Sequence, residues 1–293
     1  MFSLEIKTFI MLLGIIGNGF VGKATRELGC KDLDIIAYDR NPELCDPKGT
    51  QLVDLLKCDV IFISVPTPMK KNGECYLGII ESVINDLERI KYEGVVVLRS
   101  TVPPGTSKKL NCCFMPEFLT EKNYIIDFVN NKKWIFGIDE TTTKGQDIRN
   151  ILSNVINYAY KNDRIKYNNV VFMKSDEAEM VKMFRNVFLS TKISLCNEFA
   201  EYCNIKEIDY ETVRKIATED ERITPSHTCV PGPDGKKGFG GTCFPKDTNS
   251  LLYDMTQNNM KSFVLKSVIA RNVSVDRVER DWESNKGRSV VEE

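Results

Sequence analysis

The residues best suited to chemistry lie in one segment, residues 238–247, which reads GFGGTCFPKD. It places the thiol of Cys243 after a glycine-rich turn and four residues before the carboxylate of Asp247. A cysteine becomes a useful nucleophile when nearby cations favour its thiolate, and Lys246 and Lys182 are candidates for that role. The glycines allow the backbone to approach a bound ligand closely. A buried structural cysteine in a loop of glycine and proline is the alternative interpretation.

A second informative segment follows the first apolar run, residues 9–16. It comprises Gly17, Asn18, Gly19, Phe20, Val21 and Gly22. A helical pattern at residues 24–28 comes next. A strand, a Gly-x-Gly-x-x-Gly motif and a helix in that order form a turn whose amides hold a pyrophosphate. A plain glycine-rich turn explains the six residues alone equally well.

An acidic residue supports the dinucleotide interpretation. Asp39 follows the second apolar run, residues 34–38, and lies twenty residues after Gly19. A carboxylate at this place binds both hydroxyls of an adenosine ribose and repels a phosphate on it. The pattern therefore predicts NAD rather than NADP, and the adjacent Arg40 is the residue able to relax that preference.

Short apolar segments alternate with polar or helical segments through the N-terminal half. The apolar segments are residues 12–16, 34–38, 60–65, 95–99, 112–115 and 134–138. This spacing predicts an α/β fold with a Rossmann-like, doubly wound and mainly parallel sheet. Loops with proline and threonine follow three predicted strands, at residues 64–68, 100–106 and 115–121. Turn chemistry explains each loop singly, but three loops on one sheet edge indicate a binding site.

The longest helical pattern, residues 174–203, predicts a helix that connects two domains. Its apolar residues recur at steps of three and four, so one stripe faces a core. Lys182 and Asn186 are four residues apart and project from one face of this helix. A solvated lysine and a surface asparagine are the alternative interpretation, because both residue types are usually exposed.

The overall composition argues against several classes of function. The 293 residues suffice for two domains, and 40 basic against 41 acidic residues create no field that favours nucleic acid or an anionic membrane. The first apolar run is too short to span a bilayer, and a weak signal peptide is the alternative. Ten cysteines without a Cys-x-x-Cys pair, and one histidine, argue against a metal site. We therefore expect a cytoplasmic protein with reduced thiols.

Residues 238–247 resemble the active-site loop of the UDP-glucose/GDP-mannose dehydrogenase family. Similar landmarks recur in the same order from Gly14 to about Asn272. The three loops after predicted strands resemble family loops that read VPTP, STVPPGT and NPEFLxEG, and residues 177–200 resemble the family's long helix. Met115 replaces the usual asparagine and Lys122 the usual glycine, but neither change removes a carboxylate.

The resemblance implies a role for each matching residue. The implied catalytic residues are Cys243, Lys182, Asn186, Asp247, Glu117 and Thr101. The implied NAD-binding residues are the six of the glycine motif, Asp39, Arg40, Thr67, Thr101, Glu121 and Lys246. The implied substrate-binding residues are Glu117, Phe118, Leu119, Thr120, Glu121, Lys182, Asn186, Arg222 and Gly240. In the family the arginine at the place of Arg222 reaches the substrate of a neighbouring subunit, so a homodimer is implied as well.

By the same resemblance, the chain oxidises a nucleotide sugar, with UDP-glucose first among the candidates, to a carboxylate with two NAD per turnover. Lys182 and Asn186 hold the sugar alcohol, Cys243 captures the aldehyde, and Glu117 with Asp247 position the hydrolytic water. A two-electron dehydrogenase of the 3-hydroxyacid type has a similar domain plan. A non-catalytic protein that binds NAD or a nucleotide sugar is a further alternative.

The resemblance also predicts domain boundaries. We expect an NAD-binding domain at residues 1–173, an all-helical central and dimerisation domain at 174–280, and a charged tail at 281–293. The charged sequence from residue 276 onwards predicts a segment that frays. Family chains usually continue into a third domain that grips the nucleotide, and no segment of this sequence is expected to form it.

Overall fold

The computed structural model describes residues 10–141 and 143–292. The chain divides into two compact units, one within residues 1–66 and 77–182 and the other within 67–76 and 183–293. The start of the first predicted strand, at residue 9, lies outside the described residues.

The first unit contains a sheet that has seven strands among the described residues. They are β1 (Met11–Ile16), β2 (Leu33–Tyr38), β3 (Val60–Ile63), β4 (Val95–Leu98), β5 (Cys113–Phe114), β6 (Trp134–Gly137) and β7 (Val170–Met173). Their order in the sheet is β2-β1-β3-β4-β5-β6-β7, and neighbouring strands are parallel except β5 and β6. One edge of the sheet therefore contains the carboxyl ends of β1, β3, β4 and β5. The chain turns to one side of β1 to form β2 and to the other side to form β3, so the strand order reverses at β1. Such a switch point is where doubly wound sheets bind ligands.

The α-helices among the described residues differ widely in length. They are α1 (Phe20–Thr25), α2 (Gly78–Arg89), α3 (Thr106–Lys109), α4 (Tyr124–Val129), α5 (Thr143–Lys161), α6 (Ser175–Ile205), α7 (Tyr210–Ala217), α8 (Phe244–Gln257) and α9 (Phe263–Arg271). The longest, α6, contributes residues to both units. Among the described residues, no helix combines the length and hydropathy needed to span a bilayer.

Apolar side chains cover both faces of the sheet. All four residues of β3 are buried, and they alternate between two hydrophobic clusters. Phe62 belongs to the cluster that includes Trp134 and Phe136, whereas Ile61 belongs to the cluster that includes Phe114. Burial on both faces explains why the strands read as short continuous apolar runs. The predicted α/β, doubly wound and mainly parallel architecture is confirmed.

The predicted strands agree with the observed ones to within two residues at each described end, but β7 was missed. Each of its four residues is only partly buried, so it lacks the strong apolar signal of the central strands. The first helix begins at Phe20 rather than at residue 24, because the glycine turn leads directly into α1. The pattern predicted at residues 174–203 corresponds closely to α6.

The C-terminal segment is packed, and the prediction that it frays is wrong. A helix ends at Arg271, and Trp282 beyond it is only 3% exposed. Met69 N–H donates to Ser289 O at 2.8 Å, and Val291 N–H donates to Met69 O at 3.1 Å. High charge misled the prediction because the charged side chains of this segment pair with one another and with a loop of the second unit.

Candidate active site

The glycine motif lies where β1 and β3 end. Gly17 has a φ of +88°, and a Cβ atom built there would lie 2.6 Å from Ser64 O. A Cβ atom on Gly22 would lie 2.1 Å from Gly17 O, so both positions require glycine. A Cβ atom on Gly19, in contrast, would meet nothing within 4 Å. Gly19 therefore borders open space directly before Phe20, the first residue of α1, as close approach of a pyrophosphate requires.

Backbone amides hold the carboxylate of Asp39 at the end of β2. Asn18 N–H donates to Asp39 Oδ2 at 2.7 Å, and Asn41 N–H donates to Oδ1 at 2.9 Å. Asn18 is buried, its Nδ2 donates to Leu44 O at 2.7 Å, and its Oδ1 has no hydrogen-bond partner among the described residues. The glycine turn, the fixed carboxylate and this buried acceptor fit an adenine dinucleotide. Arg40 is exposed beside Asp39.

Replacing Asp39 with asparagine is expected to reduce discrimination against NADP by about 10-fold or more. The substitution keeps a side-chain acceptor for the ribose but removes the charge that repels a 2′-phosphate, and one hydrogen bond to a charged group contributes ~1.5–3 kcal/mol. Calorimetric dissociation constants for NAD and NADP measure the change. The control is Asp34→Asn, which changes an exposed carboxylate within β2 itself. An unchanged ratio of the two constants would remove Asp39 from the ribose site.

Glu117, in the loop after β5, forms a buried ion pair. Lys182 Nζ lies 2.6 Å from Glu117 Oε1, and the two side chains are 4% and 6% exposed, respectively. Leu119 N–H donates to Glu117 Oε2 at 2.9 Å. Burial by itself raises the pKa of the Glu117 carboxyl, but Lys182, the Leu119 amide and Arg99 hold that pKa below its ordinary value. Glu117 is therefore a carboxylate at neutral pH, and a carboxylate is able to accept a proton.

Arg99, at the end of β4, is a buried charge that the sequence analysis missed. Its Nη1 donates to Thr25 Oγ1 and its guanidinium lies over the Phe128 ring, whereas its Nε has no hydrogen-bond partner within residues 10–141 and 143–292. Burial lowers the pKa of Arg99 to about 10, while Glu117 acts to raise it. Strand-end arginines usually face solvent, so no local pattern identified this one.

Glu179 is a buried carboxyl group that also has no signal in the sequence. It accepts hydrogen bonds from Gly105 N–H, from Ser107 Oγ and, at 2.7 Å, from Ser107 N–H. Burial raises the pKa of Glu179, although the hydrogen bonds from Ser107 and Gly105 act to lower it. Glu179 thus attaches α6 to the loop after β4, which also contains the buried Thr101.

In the second unit, a buried carboxylate joins α6 to α8. Asp247 is 0% exposed, its Oδ2 accepts from Asn186 Nδ2 at 2.6 Å, and its Oδ1 accepts from Lys246 Nζ at 2.6 Å. Asn186 and Lys246 are also buried. Pro245 and Asp247 occupy the beginning of α8, as the sequence predicted. The amide of Asn186 is therefore held in one orientation, with its nitrogen toward α8.

Cys243 immediately precedes α8 and is partly exposed rather than enclosed in a core. Its Sγ lies 3.7 Å from Thr242 Oγ1. Burial lowers the pKa of Lys246, but Asp247 and the thiols of Cys75 and Cys243 raise it above the ordinary value. Lys246 is thus a cation near the sulfur, and the first amides of α8 add partial positive charge. Both favour negative charge on the sulfur of Cys243.

The glycine-rich loop before Cys243 is held by two asparagines that the sequence analysis did not assign to the site. Asn197 Oδ1 accepts from Gly238 N–H at 3.2 Å. Asn272 Oδ1 accepts from Phe239 N–H at 2.8 Å, and Asn272 Nδ2 donates to Phe239 O at 2.9 Å. The side-chain amide of asparagine offers both an acceptor and a donor, so it pairs with the N–H and C=O groups of a backbone segment. The sequence does not show which backbone segment a given asparagine will contact in the fold.

The other predicted residues of the loop after β5 have less constrained positions. Lys182 Nζ lies 5.8 Å from the centroid of the Phe118 ring. Thr120 N–H and Oγ1 donate to Asp127 Oδ2 at 2.7 and 2.6 Å, and Glu121 is exposed. Phe118 thus lies beside the buried pair of Glu117, whereas Thr120 and Glu121 face away from a core.

The predicted residues of the second unit also differ in exposure. Thr67 is buried, and Gly240 packs against the guanidinium of Arg277. Arg222 is exposed, and its Nε lies 2.9 Å from Oδ1 of Asp220 in the same chain. In the described residues, no group of three or more His, Cys, Asp or Glu side chains is arranged to hold a metal ion.

Two family models match this chain. The NAD binding domain of the UDP-glucose/GDP-mannose dehydrogenase family matches residues 49–157, and the central domain of the same family matches residues 176–274.

Individual proteins show the same similarity. The chain is 31% identical to the UDP-glucose 6-dehydrogenase of Pseudomonas aeruginosa, over 74% of this chain and 49% of that protein. It is 28% identical to the UDP-glucose 6-dehydrogenase YwqF of Bacillus subtilis, over 89% of this chain and 66% of that protein. A UDP-glucose dehydrogenase from Pyrobaculum islandicum shares the fold with a TM-score of 0.74 at 23% identity, over 92% of this chain and 70% of that one. The chain thus spans about half the length of the first relative and 66% of the second.

Proposed function

Because this chain belongs to the UDP-glucose/GDP-mannose dehydrogenase family and contains its NAD-binding domain, we propose that it catalyses the four-electron oxidation of a nucleotide sugar. UDP-glucose, oxidised to UDP-glucuronate, is the first candidate, since both curated relatives described above are UDP-glucose 6-dehydrogenases. The observation that carries the proposal is the buried carboxylate of Asp247, bound to Asn186 and Lys246 one helical turn after a partly exposed Cys243. This arrangement orients polar groups around a thiol, which a protein that only binds nucleotides does not need.

The first oxidation uses the residues that hold the sugar alcohol. Lys182 donates a hydrogen bond to the sugar oxygen, Asn186 orients it, and a water held by Asp247 takes the alcohol proton. NAD, when bound, supplies the hydride acceptor for both oxidations. Lys182 favours this step because its cation stabilises the charge that develops on the oxygen.

The second oxidation requires the thiol of Cys243. An aldehyde has no hydride to give until a nucleophile adds to its carbon. The sulfur of Cys243 forms a bond to that carbon, and the carbonyl oxygen gains a proton. The resulting thiohemiacetal gives up its hydride and its hydroxyl proton to become a thioester. The covalent bond also retains the intermediate, and Lys246 with the first amides of α8 favours the attacking thiolate.

Hydrolysis completes the reaction. Glu117, ionised because its cationic neighbours outweigh its burial, accepts a proton from a water that attacks the thioester carbon. The carbon–sulfur bond breaks and the thiolate of Cys243 leaves. One alcohol, two NAD and one water thus yield one carboxylate, two NADH and three protons.

A screen of nucleotide sugars tests the proposal. UDP-glucose, GDP-mannose and an N-acetylated UDP-sugar are each incubated with the protein and NAD, and NADH is followed by absorbance. We expect rapid NADH formation with UDP-glucose. NAD binding without turnover of any sugar would support a non-catalytic binding protein. Turnover of a free 3-hydroxyacid would support the two-electron alternative.

We also propose that the protein works as a homodimer in the cytoplasm. An exposed apolar stripe runs along α6 and supports self-association. It consists of Phe184, Phe188, Leu195, Phe199 and Tyr202, each about half or more exposed. These positions recur on one face of a helix, and an apolar patch of this kind is typical of an interaction site. In the described residues none of the ten cysteines forms a disulfide, as expected in a reducing compartment.

Replacing Phe188 with arginine is expected to convert the dimer into monomers at micromolar concentration. A buried, unpaired charge at an interface costs several kcal/mol. This cost is large compared with the net free energy of association that remains in many dimers. Light scattering after size exclusion gives the molecular mass. Ile126→Arg, an exposed apolar residue of the first unit, is the control: Phe188 is 59% and Ile126 62% exposed. A native chain that is monomeric at these concentrations would contradict the dimer.

A further inference from the structure

Arg277 lies beneath the loop that leads to Cys243. A Cβ atom built on Gly240 would lie 2.5 Å from Arg277 Cζ and 2.7 Å from Nε, so the glycine backbone rests on the guanidinium group. Arg277 is only 3% exposed. Any side chain at position 240 would displace the arginine, and loss of the arginine would leave the loop unsupported on this side.

The guanidinium group is held at several points. Its Nε donates to Asp281 Oδ1 at 3.0 Å, and Nη2 donates to Asp281 Oδ2 at 2.8 Å. Nη2 also donates to Asp234 Oδ2 at 2.6 Å, and Nη1 donates to Lys237 O at 3.4 Å. The hydrogen bond from Arg277 lowers the pKa of Asp281 to about 2, so this pair stays charged at neutral pH. The planar group thus joins the C-terminal segment to the loop at residues 234–240, a geometry that lysine cannot reproduce.

The C-terminal segment is itself anchored. Trp282 is buried, and Lys236 Nζ lies 3.0 Å from Asp281 Oδ2 and 3.1 Å from Glu279 Oε1. Beyond these residues, backbone hydrogen bonds connect Ser289 and Val291 with Met69. The position of Arg277 is therefore set by the C-terminal segment and not by the glycine-rich loop alone.

We propose that Arg277 is a positioning residue that holds the loop of residues 238–242 and, through it, the thiol of Cys243. Its hydrogen bonds go to Asp234, Lys237 and Asp281, and we infer that it acts on the loop through Gly240. This inference rests on the proposed function insofar as Cys243 is the nucleophile, but the order of the loop is measurable without any substrate.

Amide hydrogen exchange of Arg277→Lys tests the proposal. The variant keeps the charge but loses the planar fork, so we expect exchange in residues 237–243 to be about 10-fold faster, with α8 and α9 unchanged. The matched control is Arg280→Lys, the same substitution at an exposed position of the same segment, where exchange should equal that of the native chain. Unchanged exchange in the loop, or faster exchange throughout α8 and α9, would overturn the positioning role.

A second variant and a product assay keep the test independent of stability. Gly240→Ala places a methyl group against Arg277 and should accelerate exchange in the same residues. If both residues act through this one contact, the double variant Gly240→Ala with Arg277→Ala should exchange more slowly than the sum of the two single effects predicts. In turnover, Arg277→Lys should release more aldehyde, trapped with a hydrazine, while KM for the sugar is retained. Equal aldehyde release by native chain and variant would contradict the proposal. If the native chain oxidises no sugar, the proposed function fails, while the exchange result still decides the role of Arg277.

Discussion

Replacing Cys243 with serine is expected to stop oxidation of the nucleotide sugar after the first hydride. A serine hydroxyl is a far weaker nucleophile than a thiolate at neutral pH, and loss of a covalent nucleophile lowers kcat by about 10⁴-fold or more. The variant should retain NAD binding and should form the aldehyde, because Lys182 and Asn186 are unchanged. Trapping the aldehyde with a hydrazine while NADH is followed measures both effects.

The control for this variant is Cys229→Ser, which replaces an exposed thiol of the same unit. It should oxidise the sugar to the carboxylate at the native rate. Complete oxidation by Cys243→Ser at an undiminished rate would show that Cys243 is structural.

Replacing Lys182 with methionine is expected to impair both folding and catalysis. Glu117 would remain buried without its principal cation, and breaking a buried ion pair from one side costs ~3–5 kcal/mol. The loss of a donor to the developing oxyanion should lower kcat by about 10²–10³-fold. Urea unfolding and steady-state kinetics measure the two effects separately.

The double variant Glu117→Gln with Lys182→Met isolates the pair. Because no unpaired charge remains buried, the double variant should be more stable than Lys182→Met alone. A double variant that is less stable than Lys182→Met would mean that the carboxylate is satisfied without the lysine.

The pH dependence of this destabilisation has a definite sign. In the native chain the pKa of Glu117 is lowered, so its contribution to stability is present above the unfolded-state pKa and is lost as pH falls through the folded-state pKa. In Lys182→Met, burial raises that pKa, so the ionised carboxylate opposes folding at neutral pH. The stability difference between the two proteins should therefore be largest near pH 7 and should shrink as pH falls below the raised folded-state pKa of Glu117 in the variant. A constant difference between pH 7 and 4 would contradict the charge pairing of Glu117.

Sequence patterns predicted the architecture well because each central strand is buried on both faces and separated by helical segments. They missed β7, whose residues are all half-buried, and they mistook the C-terminal segment for a frayed tail. Composition gives the number of charged residues in a segment but not which of them form ion pairs in the fold. The pairing of Arg277 with Asp234 joins residues 43 positions apart.

Only the short-range features of the candidate site follow from the sequence. The short-range features, Gly17 and Pro245 among them, follow from backbone requirements and are visible in the motif itself. The hydrogen-bond partners of the buried carboxylates were not visible in the sequence. Asn186 and Asp247 are 61 residues apart in the chain, and Lys182 and Glu117 are 65 apart. The resemblance to a family predicts which residues take part in the reaction, and the structure shows which of them form hydrogen bonds within each unit.

The number of NADH molecules formed per nucleotide sugar tests the central claim most directly. A limiting amount of UDP-glucose is consumed by the native chain with excess NAD, and NADH is compared with the carboxylate formed. We expect two NADH and one carboxylate per sugar. One NADH per sugar, with free aldehyde or ketone as the product, would contradict a thiol-dependent second oxidation at Cys243.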